Sequence, residues 1–205
     1  MIIKNHYIQK SDVKYVTEDF SILEAREFLE KTGFRCVPIL DKSKTYFVGN
    51  VYEIDTYKYK GSLEDPVTNI AKNNKDFVHE HDPFFRIFFT IRKLPFLAVL
   101  DEDDEFVGIL THSIVMDVAE DAFGVRAKGY SITIGTYDFQ NTLKRISEIV
   151  SKYSSIQTLI TLYSEDFVRQ IVLTLPEQTE KETVDVIIKE LTEAKYSIVH
   201  VEKLE

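Results

Sequence analysis

The feature that most restricts what this chain can fold into is a duplication within its first 125 residues. In the first copy, Val16-Thr-Glu-Asp19 leads into apolar residues at helical spacing (Ile22, Ala25, Phe28, Leu29). Val37-Pro-Ile-Leu-Asp41 and Phe47-Val-Gly-Asn-Val51 follow. The second copy runs Val78-His-Glu-His81, then Phe84, Phe85, Phe88 and Phe89, then Leu97-Ala-Val-Leu-Asp101 and Phe106-Val-Gly-Ile-Leu110. The offset between equivalent residues shortens from 62 to 60 to 59, so the second copy carries small deletions. Each copy predicts strand, helix, strand, turn, strand, helix. The short apolar runs end at an aspartate, as buried strands do where they meet a turn. Lys42-Ser43-Lys44 and Glu102-Asp103-Asp104 supply polar hairpin loops. A unit of about sixty residues with one three-stranded sheet is marginal alone. Two such units bury each other's exposed sheets and leave clefts between them.

The last third has a different rhythm. Tyr130 to Ile134 alternates as a strand, and Leu143, Ile146, Ile149 and Val150 carry helical spacing. Ile156 to Leu162 and Val168 to Leu175 read as strands joined through Ser164-Glu-Asp166. Thr183 to Ala194 places Val184, Ile187, Ile188 and Leu191 on one helix face, and Tyr196 to Val201 closes the chain with a strand. The order βαββαβ is the ferredoxin-like pattern. Gly124 and Gly129 bracket the linker that leads into it.

Composition removes several function classes. The net charge is −9, and neither the first 128 residues nor the remainder has an excess of Lys and Arg. The footprint needed to grip a nucleic-acid backbone is therefore missing, so no nucleic-acid partner is expected. The polar stretch Met1 to Asp12 lacks a signal-peptide core. The densest apolar stretch, Phe84 to Ile91, is interrupted by Arg86 and too short to span a bilayer, so no membrane partner is expected. Cys36 is the sole cysteine, which excludes an intramolecular disulfide and a CxxC metal cluster and fits a reducing, cytoplasmic setting.

The pattern apolar-Pro-apolar-apolar-Asp, a hairpin, then Val-Gly-x-apolar-Thr resembles the CBS domain. The duplication resembles a CBS pair over roughly residues 8–125, and the final third resembles an ACT domain. The expected fold is α/β (α+β): CBS domain 1 over residues 1–72, CBS domain 2 over 73–127, and an ACT-like domain over 128–205. The resemblance implies adenine nucleotides in the clefts, with ribose and phosphates at a Gly-x-x-Thr/Ser-x-x-Asp motif. Neither copy has the full set. Gly49 to Asp55 keeps the aspartate but has Tyr52 in place of threonine, whereas Gly108 to Ile114 keeps Thr111 but has Ile114 in place of aspartate.

These departures fit better with a resemblance to bacterial cyclic di-AMP-binding CBS proteins. That resemblance implies a pocket at Asp12, Val13, Lys14 and Tyr15, at Phe34, Arg35 and Cys36, and at Thr111, His112 and Ser113. Some members have arginines where this chain has His112 and Ser113, which leaves the cationic contacts to Lys14 and Arg35. Tyr52 and Asp55 are the candidates for the second cleft. Blander readings stand beside these. Lys14 and Arg35 serve equally as solvated surface charges, and Asp55 and Thr111 as helix N-caps. Cys36 reads as a packed small hydrophobe, and the Phe84–Phe89 face as core or as a dimer interface.

His79 and His81, with Glu80 and Asp82 nearby, lack a placed third ligand, so no metal site is assigned. No nucleophile–base pair or phosphate loop is found, so there is no catalytic residue, no cofactor and no enzyme activity expected. The ACT resemblance implies an amino-acid site at a glycine-containing turn. Here Gly135-Thr-Tyr-Asp-Phe139 has its glycine early, which favours a dimerisation or partner surface. The expectation is a regulatory sensor of an adenine nucleotide, cyclic di-AMP above all, acting as a homodimer on a protein partner the sequence does not identify. The alternatives are a sensor of AMP, ATP or S-adenosylmethionine, and an auxiliary subunit in acetoin or amino-acid metabolism.

Overall fold

The structure is a computed structural model that describes residues 3, 6–124, 126–137, 140–163 and 169–204. The side chains of Arg86, Phe89 and Tyr163 lie outside that description. The chain divides into two compact units, Met1–Met116 and Asp117–Glu205.

The first unit opens with a two-residue strand, β1 (Ile8–Gln9), and a 3-10 turn over Lys10–Asp12. Then come β2 (Val16–Thr17), α1 (Ile22–Thr32), β3 (Cys36–Leu40), β4 (Phe47–Tyr52) and α2 (Glu53–Lys58). The second copy gives β5 (Phe77–His79), a short helix α3 (Ile87–Thr90) set between 3-10 turns, β6 (Phe96–Leu100), β7 (Phe106–Thr111) and α4 (His112–Phe123). In each copy the first strand runs parallel to the middle one, and the middle one antiparallel to the last. The registers correspond: Cys36 lies opposite Tyr52, and Phe96 opposite Thr111.

Local chemistry explains these elements. Ser21 starts α1 with a reciprocal capping box: its Oγ accepts from the Glu24 amide at 3.2 Å, and the Glu24 carboxylate accepts from the Ser21 amide at 2.8 Å. Gly33 ends α1 in the left-handed conformation, φ 75°, which a residue without Cβ adopts freely. The aspartate ending each middle strand organises the hairpin. Asp41 Oδ1 accepts from the Thr45 and Tyr46 amides, both at 2.7 Å, and Asp101 Oδ1 accepts from the Asp103 and Glu105 amides. Hydrogen bonds from Ser43 and from the turn amides hold the Asp41 carboxyl down at about 2.

The two copies bury one another. Val13 and Leu40 from the first pack with Ala98, Leu100 and Phe106 from the second, and Phe47 stacks on Phe106 with ring centroids 6.3 Å apart. A separate cluster lies under α1, where Ala25 and Leu29 meet Val37, Ile39 and Val51.

Two expectations are corrected here. Phe84 to Phe89 do not form one helical face, because the 3-10 turn over Phe84–Arg86 breaks the helical register where it meets α3. Phe84 is 1% exposed, whereas its neighbour Phe85 is 72% exposed. Nor does Asp55 cap a helix: Tyr52 holds the N-cap position of α2 and Asp55 falls inside its first turn. One element was not expected at all. Strand β1 crosses to the second copy and pairs antiparallel with β7, Ile8 opposite Ile109. Gly108 permits that crossing, since a Cβ there would sit 2.1 Å from the Ile8 carbonyl oxygen.

The second unit contains β8 (Gly129–Thr136), α5 (Thr142–Val150), β9 (Thr158–Tyr163), β10 (Arg169–Leu175), α6 (Lys181–Glu193) and β11 (Ser197–Leu204). Its sheet is antiparallel in the order β11-β8-β10-β9, two interleaved strand–helix–strand units. This is the expected βαββαβ order. Ile146 and Val150 of α5, with Val184, Ile187 and Leu191 of α6, cover Ile132, Ile134, Ile171 and Leu173 on one sheet face. The expected Ser164-Glu-Asp166 connection lies outside the described residues.

Two outcomes are expected. Gly108→Ala should destabilise the first unit by about 1–3 kcal/mol through overpacking against β1, measured as a lower denaturant midpoint. The Asp41 carboxyl should titrate by NMR near pH 2. Its depressed pKa makes its contribution to stability complete above pH ~4 and lost as pH falls toward 2.

Candidate functional site

Three separated segments meet at one cavity of about 320 Å³ in the first unit. The 3-10 turn after β1 brings Asp12, Val13 and Lys14. The left-handed Gly33 turns the chain out of α1 so that Phe34, Arg35 and Cys36 enter β3 along the cavity wall. The Arg35 carbonyl then accepts from the Glu53 amide at 2.9 Å, which ties this loop to the start of α2. From the second copy, Thr111 closes the site at the end of β7. Its Oγ1 also accepts from the Ile114 amide at 3.4 Å, so the capping role and the cavity position coexist.

The walls are largely apolar: Ile8, Val37, Pro38, Pro95, Phe96 and Ile109 complete the lining. Lys14 and Arg35 are exposed at the rim. Neither forms an ion pair with another described residue, so both are uncommitted cations among the described residues. Apolar faces for a flat ring, with a few polar groups and two cations at the mouth, suit a ligand with a heterocycle and an anionic group. Cys36 is a buried wall residue. Burial pushes its thiol up to about 12, against a partial offset from the Tyr52 hydroxyl beside it.

Of the residues picked out from the sequence, Asp12, Val13, Lys14, Phe34, Arg35, Cys36 and Thr111 line this cavity. Tyr15 packs instead against the core between the two copies, and His112 and Ser113 are exposed on the first turn of α4. Six lining residues were missed. Ile8 belongs to the unexpected β1. Pro95, Phe96 and Ile109 could have been found from the duplication, because they repeat the positions of Arg35, Cys36 and Asn50. Tyr52 and Asp55 lie in the pseudo-equivalent position. The Tyr52 hydroxyl donates to Asn73 Oδ1 at 2.8 Å, and the Asp55 carboxylate pairs with Lys72 at 2.7 Å.

His79 pairs with Asp104 at 2.7 Å and His81 with Glu102 at 3.4 Å. Among the described residues no group of three or more His, Cys, Asp and Glu side chains is placed to hold a metal ion. No helix among the described residues is long and apolar enough to cross a membrane.

The CBS-domain model matches residues 6–59 and 67–121, more than half of the chain. The chain belongs to the CBS-domain family. Its two CBS domains form the pair just described, and solved structures share that fold. A CBS domain pair/ACT domain protein from Thermotoga maritima is 22% identical, with a TM-score of 0.52 over 60% of this chain and 98% of its own. The CbpB protein of Listeria monocytogenes, solved in complex with c-di-AMP, is 21% identical, with a TM-score of 0.53 over 60% and 98%. A hypothetical conserved protein from Geobacillus kaustophilus is 24% identical, with a TM-score of 0.52 over 58% and 96%. No curated protein matches the chain.

The wall position of Cys36 gives a pH prediction. A thiol held near 12 keeps its proton where the unfolded chain, with an ordinary value of 9.0, releases it. Its contribution to stability is therefore intact below pH 9 and erodes as pH rises from 9 toward 12. At pH 8, iodoacetamide should alkylate the native CBS pair far more slowly than the urea-unfolded chain, read by mass spectrometry.

Proposed function

We propose that this protein is a regulatory sensor of an adenine nucleotide, held in the cavity between the two CBS domains, with cyclic di-AMP as the occupant the site favours. The observation that carries this reading is the convergence of Asp12–Lys14, Phe34–Cys36 and Thr111 on a single apolar-walled cavity with two uncommitted cations at its rim. The purine would lie between the apolar walls. Lys14, Arg35 and the Thr111 hydroxyl would meet phosphate oxygens. Ile114 offers no hydrogen bond to a ribose, which argues against a mononucleotide held by a carboxylate in this cleft. The rival reading, an AMP, ATP or S-adenosylmethionine sensor using Asp55, is weakened because Lys72 already holds that carboxylate. The c-di-AMP bound to Listeria CbpB, a CBS-pair protein of the same fold, adds support. An auxiliary role in acetoin or amino-acid metabolism would be an output of such a sensor and would need no different site.

In this reading the protein is not an enzyme and acts in the cytoplasm. Occupancy of the cavity stabilises one arrangement of the pair over another, which is the energetic requirement for signalling to a partner. The C-terminal unit is read as an ACT-like domain that supplies a dimerisation or partner surface through its edge strands β9 and β11. Ile54, Tyr57, Phe85 and Met116 of the first unit are exposed apolar side chains that a second copy would cover.

Calorimetric titration at fixed salt tests the ligand. Arg35→Ala should weaken cyclic di-AMP binding about ten- to hundred-fold, the loss of about 1.5–3 kcal/mol in one charge-assisted contact. Thr111→Val should weaken it less, and Asp55→Ala should leave it nearly unchanged. Tight AMP binding lost only in Asp55→Ala, with no cyclic di-AMP binding in any variant, would overturn the proposal. Light scattering at micromolar concentration should give twice the 23.8 kDa chain mass; a monomer would remove the dimer from it.

A further inference from the structure

The two clefts of the pair are built from equivalent positions but are not in equivalent states. Ile109 and Thr111 of β7 line the open cavity and are half-buried. Their counterparts on β4, matched by strand register, are Asn50 and Tyr52. Asn50 is 0% exposed, and neither its amide nitrogen nor its oxygen has a partner. Its neighbour Val51 points into the core under α1, so strand alternation turns Asn50 to the cleft face. The segment that covers it is the counterpart of β1: Lys72 makes the backbone bridge to Asn50 just as Ile8 does to Ile109.

Side chains then complete the cover. Tyr52 is far longer than Thr111, and its hydroxyl spans the cleft to Asn73 Oδ1 at 2.8 Å. Asn73 is held in turn by donating to Asp76 at 2.8 Å. The Lys72 ammonium lies 6.0 Å from the centre of the Tyr52 ring and closes onto Asp55 at 2.7 Å. We infer that the second cleft is a latent site held shut by the chain itself, with Tyr52 as the plug and the Lys72–Asp55 pair as its clasp. The unpaired Asn50 amide beneath the plug supports this. Simple packing would place an apolar side chain there, as Ile109 is placed opposite, whereas a buried donor and acceptor suit a cleft that can admit a hydrogen-bonding ligand. Burial, with the neighbouring Cys36, Asp55 and Asp76, pushes the Tyr52 hydroxyl up to about 12, so it stays a donor throughout the neutral range.

Two measurements test the plug. In the first, iodoacetamide labels the Asn50→Cys variant, and peptide mapping separates that thiol from Cys36. Adding Tyr52→Thr should speed labelling at position 50 at least ten-fold while the protein remains folded by circular dichroism. Equal rates with and without Tyr52→Thr would overturn the inference, whatever the protein binds. The second measurement rests on the nucleotide reading above and uses AMP and cyclic di-AMP as probes on the otherwise unaltered chain. Wild type should bind at a single site per chain that responds to Arg35→Ala. Tyr52→Thr should add a second site that responds to Asp55→Asn and not to Arg35→Ala. A wild-type protein that already fills two sites per chain would overturn the plug. Binding insensitive to Arg35→Ala, together with the expected labelling rates, would overturn the nucleotide reading and leave the plug standing.

Discussion

The first unit depends on the contact between the sheets of its two CBS domains. Helix α1 covers one face of the first copy's sheet, and neither copy is large enough to leave its other face in water. Leu40 from one copy and Ala98, Leu100 and Phe106 from the other remove that face from solvent together, with Phe47 stacked on Phe106. Because the copies share a pattern, the contact is close to two-fold. Two-fold packing of two short sheets leaves a cleft on each side of the central contact. The candidate site is therefore a by-product of how the core is made, and any chain with this duplication would have to decide what to put in each cleft.

This chain decides differently on the two sides. In one cleft a small hydroxyl residue, Thr111, and an apolar Ile109 leave room, and Lys14 and Arg35 at its rim pair with no carboxylate among the described residues. In the other, a tyrosine replaces the small residue, and Lys72 is paired with Asp55. The backbone frame is the same in both, down to the strand register. Side-chain length and charge pairing alone separate an open cleft from a closed one. That asymmetry suits a sensor whose signal is a shift between two arrangements, since only one cleft is free to respond.

Much of this was legible without coordinates, for identifiable reasons. The aspartates ending the middle strands, the helix starting after Ser21 and the alternating strands of the second unit all depend on neighbours in sequence, so their patterns survive in the sequence. Phe34–Cys36 and Thr111 were legible through the resemblance to cyclic di-AMP-binding CBS proteins, while the duplication by itself implied only that clefts lie between the copies. The same resemblance implied Tyr15, His112 and Ser113, which the structure puts on the interface core and on an exposed helix turn. The aromatic run Phe84–Phe89 suggested one face, yet it starts in a 3-10 turn and ends in α3. A shift of helix type within a few residues leaves no periodic signal to read.

The sequence by itself determined the duplication, the βαββαβ order that follows it, and the residue types available at each cleft, because these are properties of local pattern and of repeated spacing. Only the tertiary structure decided which groups meet. Strand β1 crosses to the second copy because Gly108 leaves space for the Ile8 carbonyl, a contact between residues a hundred positions apart. Lys72 closes on Asp55, and Tyr52 reaches Asn73, because the antiparallel backbone bridge between Lys72 and Asn50 brings the segment entering β5 over the end of β4. Nothing in either local stretch encodes those pairings. They arise where long side chains from separate segments compete for the same few ångströms, and that competition is settled only when the two sheets are packed together.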